Sequence, residues 1–196
     1  MSTGSSRQLW LLPVLLITVI ATALGALVAR SLYKEPPPSP PAAVEPSPSV
    51  VPLSEQPGSA EVQGTVDATT HPLFNTLQSL LQRYFDAINE KDYDGWSTTV
   101  TNERLRTTPE KQWRIDYRST RDGSIVIYRI EATGDDTARV LLRFTSIQHE
   151  DDAPPELRAP CINWNVVWLL AKDRNEWKLA GGPTSKNPQT ERCPGT

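Results

Sequence analysis

Residues 71–100 read HPLFNTLQSLLQRYFDAINEKDYDGWSTTV, and this stretch constrains the fold more than any other. Leu73, Leu77, Leu80, Leu81, Tyr84, Phe85 and Ile88 recur at helical spacing and make one broad apolar stripe. Pro72 suits the first turn, where its missing N–H would be unpaired anyway. The stripe breaks at Asn89-Glu90-Lys91-Asp92, and Tyr93, Trp96 and Val100 then begin a second, shorter apolar period. A helix this apolar on one side is held by packing rather than by propensity. It needs a partner surface, and the strand-patterned segment downstream supplies one.

That segment reads as a third helix followed by a meander. Trp113, Asp116 and Tyr117 fall at helical spacing within residues 109–119, and Arg121-Asp122-Gly123 reads as a turn. Residues 124–133 alternate Val126, Tyr128, Ile130 and Ala132 against Ile125, Ile127 and Arg129, and Gly134-Asp135-Asp136 makes a hairpin connection. Residues 137–148 place Ala138, Val140, Leu142 and Phe144 on one face. A polar loop, residues 149–160, precedes a third strand over 161–172 with Ile162, Trp164, Val166, Trp168 and Leu170 on one face. Asp173-Arg174-Asn175 then turns into a last strand over 177–180. Helices followed by antiparallel strands predict an α+β fold with the helices on one face of the sheet.

Upstream the composition changes twice. Residues 9–28, LWLLPVLLITVIATALGALV, are twenty residues without a charge, enough at ~1.5 Å rise to span a ~30 Å hydrocarbon core. They predict a transmembrane helix after a short cytoplasmic tail, residues 1–8. The alternative is secretion after cleavage near Ala23, since Arg7 supplies a positive flank and Ala21-Thr22-Ala23 small residues. Residues 29–70 are rich in proline and poor in large apolar side chains, which predicts a disordered stalk. Residues 71–196 hold five of the six Trp and both Cys, enough for one core. Two cysteines in one domain, Cys161 and Cys193, predict a disulfide and an oxidising compartment, and so place the N-terminus in the cytoplasm and the domain outside the cell membrane.

At this point a family resemblance enters. Ala87-Ile88-Asn89-x-x-Asp92-Tyr93-x-x-Trp96, following an amphipathic helix, resembles the helix-one to helix-two corner of the NTF2-like superfamily. Trp177-Lys178-Leu179-Ala180 is similar to that family's last strand. The resemblance implies a cone of helices on a curved antiparallel sheet, whose mouth takes a ligand or a catalytic dyad. It also implies a sheet face able to form a homodimer. Anchor, stalk and such an ectodomain together resemble actinobacterial envelope proteins and inner-membrane subunits of secretion machines.

Three functions follow as expectations. The first is a non-catalytic accessory or interaction domain with a protein partner in the envelope. The second is a small-molecule binding module whose cavity is lined by Tyr84, Trp96, Trp113, Tyr117, Trp164 and Trp168. The third is an isomerase- or dehydratase-type enzyme, which needs a buried carboxylate base with a hydroxyl donor, or an Asp/His pair. Asp116, Tyr117, Tyr84 and His149 are its candidate actors, but no motif assigns a catalytic residue. No cofactor is expected, because no glycine-rich phosphate loop is present. Two His and two Cys without zinc-like spacing argue against a metal. A net charge of −3 with scattered arginines argues against nucleic acid.

Overall fold

The structure, a computed structural model, describes residues 55–180 and 189–194, all within the unit Val50–Thr196. The candidate membrane span at 9–28 and most of the expected stalk lie outside these residues. Among the described residues no helix is long and apolar enough to cross a membrane. The elements in chain order are β1 (Gln63–Gly64), α1 (Val66–Thr69), α2 (Phe74–Glu90), α3 (Tyr93–Ser97), α4 (Asn102–Thr107) and α5 (Glu110–Asp116). Then come β2 (Arg121–Gly134), β3 (Thr137–Ile147), a 3-10 turn over Glu150–Asp152, β4 (Cys161–Asp173), β5 (Glu176–Leu179) and β6 (Gln189–Arg192). The class is mixed α+β.

The expected stripe forms α2. Phe74, Leu77, Leu80, Leu81, Tyr84, Phe85 and Ile88 are buried. They pack on Ile125, Ile127, Val140, Leu142, Phe144, Val166 and Trp168 of the sheet in one continuous core. Lys91 ends the helix in the left-handed region, with φ of 63°, and Asp92 caps α3 by accepting from Gly95 N–H at 3.0 Å. Asn89, from the same corner, ties α2 to β2. Its Nδ2 donates to the Asp122 carbonyl at 2.9 Å, and the Asp122 N–H donates to its Oδ1 at 2.7 Å. Asn89→Ala leaves both backbone groups without that partner and is expected to cost about 2 kcal/mol. Urea unfolding measures it, and an unchanged midpoint would contradict this role.

The sheet runs β1-β2-β3-β4-β5, with β6 also on β4. It is curved and unclosed, and antiparallel apart from the β1–β2 pair. The alternations read for β3 and β4 are present: Ala138, Val140, Leu142 and Phe144 are buried together, as are Ile162, Val166, Trp168 and Leu170. The β4–β5 turn carries Arg174 and Asn175 at φ of 52° and 69°, a twist that suits a tight hairpin.

Several features differ from the sequence reading. β1 and α1 lie inside residues 29–70, so folded structure begins before residue 71. Gln82 and Gln78 hold the chain entering that strand: the Gln82 Oε1 accepts from the Val62 N–H at 2.7 Å, and the Gln78 Nε2 donates to the Val62 carbonyl at 2.8 Å. Arg121-Asp122-Gly123 is the start of β2 rather than a turn, followed by a register shift and by Ser124 at φ of 49°. A second shift after Ile127 moves the buried face from Ile125 and Ile127 to Ile130, which breaks the simple alternation. Finally, Gln189–Arg192 is a strand on β4, not merely a tethered tail, and the Cys161–Cys193 disulfide closes its end.

Candidate functional site

Between α2, α4, α5 and the inner face of β3 and β4 lies a cavity of about 270 Å³. Phe85, Ile88, Phe144, Trp164, Val166 and Trp168 give it apolar walls. Trp164 stacks on Phe144 with centroids 5.9 Å apart and planes 8° apart, and Trp168 meets Tyr84 edge-on at 5.2 Å. The polar wall holds Tyr84, Arg104, Asp116, Tyr117, Asp122, Ser146 and Asp152.

Asp122 is the group most altered by its surroundings. It is 4% exposed, and the Ser146 hydroxyl donates to its Oδ1. Burial pushes its carboxyl up to about 6, against the opposing pull of the Ser146 hydrogen bond and the Lys91 charge. Lys91 itself is lowered, by burial first, although the Asp122 charge acts the other way. Its Nζ donates to the carbonyls of Ile88, at 3.0 Å, and Thr120.

Arg104 is the second. It sits on α4, whose cap Thr101 accepts from the Arg104 N–H at 3.5 Å. Its Nη2 donates to the Tyr84 hydroxyl at 2.9 Å, and its guanidinium lies 5.4 Å from the Tyr84 ring and 5.9 Å from the Trp96 ring. Its Nη1 is buried without a hydrogen-bond partner. Burial disfavours its charge, but Tyr84 and Tyr117 outweigh that and its pKa is raised. The Tyr117 phenol is pushed well above its ordinary range, first by burial and then by Tyr84.

The remaining acids are engaged. Asp152 takes a bidentate pair from Arg118, the Nε bond being 2.9 Å, and a hydrogen bond from Ser119. The Arg118 bond is the main reason its carboxyl falls to about 2. Asp116 is exposed and accepts from Gln112 Nε2 at 2.6 Å. Among the described residues no cluster of His, Cys, Asp and Glu could hold a metal ion.

Of the six aromatics expected in the wall, Tyr84, Tyr117, Trp164 and Trp168 line the cavity. Trp96 and Trp113 do not. Both are fully buried and pack with Tyr93 at centroid distances of 5.5–5.6 Å, tying α3 to α5. His149 is exposed and is not among the residues that line the cavity. Asp122 and Arg104 were missed by the sequence reading. Asp122 was hidden in a turn-like tripeptide, whereas Thr101-Asn102-Glu103, a capping residue followed by an acid, was a usable sign of the helix that carries Arg104.

No family model matches this chain, and no curated protein matches it. Among solved structures it is similar to the crystal structure of the Kfla4162 protein from Kribbella flavida, at a TM-score of 0.41 and 14% identity. The similarity covers 59% of this chain and 91% of that one.

Proposed function

We propose that the domain is an NTF2-like small-molecule binding module, anchored in the cell membrane by residues 9–28 and carried outside it. What supports the binding reading is the cavity itself: apolar walls with a few convergent polar groups are the usual form of a ligand site. The NTF2-like reading is supported by the corner of Asn89 and Asp92, which joins α2 to β2 and caps α3. Within the envelope such a module serves an accessory role, reporting or presenting its ligand to a protein partner.

A second reading has one specific observation in its favour. Asp122, with its carboxyl pushed up to about 6, lines the same cavity as the Tyr117 hydroxyl, and a buried carboxylate with a hydroxyl donor is the kind of set an isomerase uses.

Screening small molecules by thermal shift on the full-length protein tests the first reading. A true ligand at a hundred times its Kd adds about 2.7 kcal/mol of stability. A broad screen without a saturable shift would contradict it. Proton exchange from a bound carbonyl compound, lost in Asp122→Asn, would move the assignment to the second reading.

A further inference from the structure

We propose that the cavity takes a small organic monocarboxylate, its head on Arg104 and its apolar body against Phe144, Trp164 and Trp168. The inference rests on the binding reading above and adds the chemistry of the ligand.

Each carboxylate around the cavity is balanced by an ion pair, a nearby charge and hydrogen bond, or water, whereas Arg104 has no counter-charge among the described residues. Asp152 is held by Arg118. Asp122 has Lys91 beside it and the Ser146 hydroxyl on its Oδ1. Asp116 is exposed, so water screens it. Arg104 has only neutral neighbours: the Tyr84 hydroxyl, the rings of Tyr84 and Trp96, and the Tyr117 phenol. Among the described residues no carboxylate lies within ion-pair distance of it. A guanidinium does not lose its proton in a protein, and an enclosed charge is stable when paired. Arg104 therefore selects an anion, and its planar fork matches a carboxylate.

The rest of the wall limits the choice. With one unpaired cation, and with Asp122 and Asp116 in the same wall, a second negative charge on the ligand is repelled. That favours a monoanion over a phosphate dianion. The parallel Phe144–Trp164 stack gives a flat apolar surface for a ring or short chain. A volume of about 270 Å³ admits only a small body.

The test compares matched pairs on the full-length protein: benzoate, phenylacetate and indole-3-acetate against their amides, with phenethylamine as the cationic control. Affinities are measured by calorimetry for the wild type, Arg104→Gln and Arg104→Lys. The expected result is at least one acid binding about tenfold or more tightly than its amide, a difference of about 1.4 kcal/mol. In Arg104→Gln that preference falls to about one while the amide's affinity is retained, and Arg104→Lys recovers part of it. The wild-type comparison stands even where a variant does not fold. An amide binding as tightly as its acid, or phenethylamine binding best, would overturn the carboxylate assignment and leave the binding reading in place. Absence of binding by acids, amides and amine alike would overturn both.

Discussion

Reduction of the Cys161–Cys193 bridge is expected to release β6 while leaving α2 and β2–β4 folded. The bond joins residues 32 apart in sequence, and both are buried. Chain-entropy arithmetic for a loop of that size gives about 3–4 kcal/mol. Besides the bond, the contacts described for residues 189–192 are a short strand pairing and a surface ion pair. β6 is four residues long, polar, and pairs with β4 only from Gln189 to Arg192. The Cys193 N–H donates to the Cys161 carbonyl at 3.1 Å, and Arg143 reaches Glu191 at 3.8 Å across an exposed face. A surface ion pair of that kind contributes little. Hydrogen exchange before and after a reductant measures the effect, with Cys193→Ser as the covalent counterpart. Fast exchange confined to residues 189–193, with a lower overall unfolding free energy, is the expected pattern. Unchanged protection there would show that the strand needs no bridge.

The second large effect is a pH dependence carried by Asp122. Its carboxyl titrates at about 6 in the folded protein against 3.8 for an ordinary aspartate. The folded state therefore binds the proton more tightly than the unfolded state. Stability from this group is complete below the unfolded value, is lost as the pH rises through about 6, and is level above that. The difference between 3.8 and about 6 corresponds to about 3 kcal/mol. Asp152 acts in the opposite sense, because its carboxyl is lowered to about 2, and its window closes below the one Asp122 occupies. The two are separated by subtracting Asp122→Asn from the wild type. Between about pH 4 and pH 7 the wild type should lose stability relative to this variant, by up to about 3 kcal/mol. Chemical unfolding across that range measures it. Parallel pH curves for the two proteins would mean that Asp122 is ionised in the fold as easily as in water.

What the sequence made legible follows from periodicity. The stripe of α2 and the alternation of β3 and β4 are patterns in which each residue's burial is decided by its spacing, and they survive in the structure. Asp122 obeys no such pattern. Arg121-Asp122-Gly123 has the local chemistry of a turn, but residues distant in sequence keep it extended. Asn89 grips the Asp122 backbone, and a Cβ on Gly123 would come within 2.7–2.8 Å of the Gly58 and Pro57 carbonyl oxygens. Glycine is there for that close approach, not for a bend. The same crossing explains why residues 63–69 carry no strand or helix signal of their own: Gln63–Gly64 becomes a strand only because β2 pairs with it. The site was legible in part for a similar reason. Tyr84, Tyr117, Trp164 and Trp168 stand out as aromatics, yet Trp96 and Trp113 look the same in sequence and differ only in which wall they face. Arg104 acquires its meaning from what surrounds it, and spacing carries no record of that.

Whether the cavity is a ligand site is tested most directly by the tryptophan indole N–H signals of isotope-labelled full-length protein during titration with phenylacetate. Trp164 lines the cavity with its Nε1 buried and without a hydrogen-bond partner, whereas Trp177 lies against Lys172 and outside the wall. A saturable shift of the Trp164 signal at millimolar ligand or below, with Trp177 unmoved, is the predicted result. Trp164 unmoved at saturating ligand, or Trp164 and Trp177 drifting together without saturation, would contradict it.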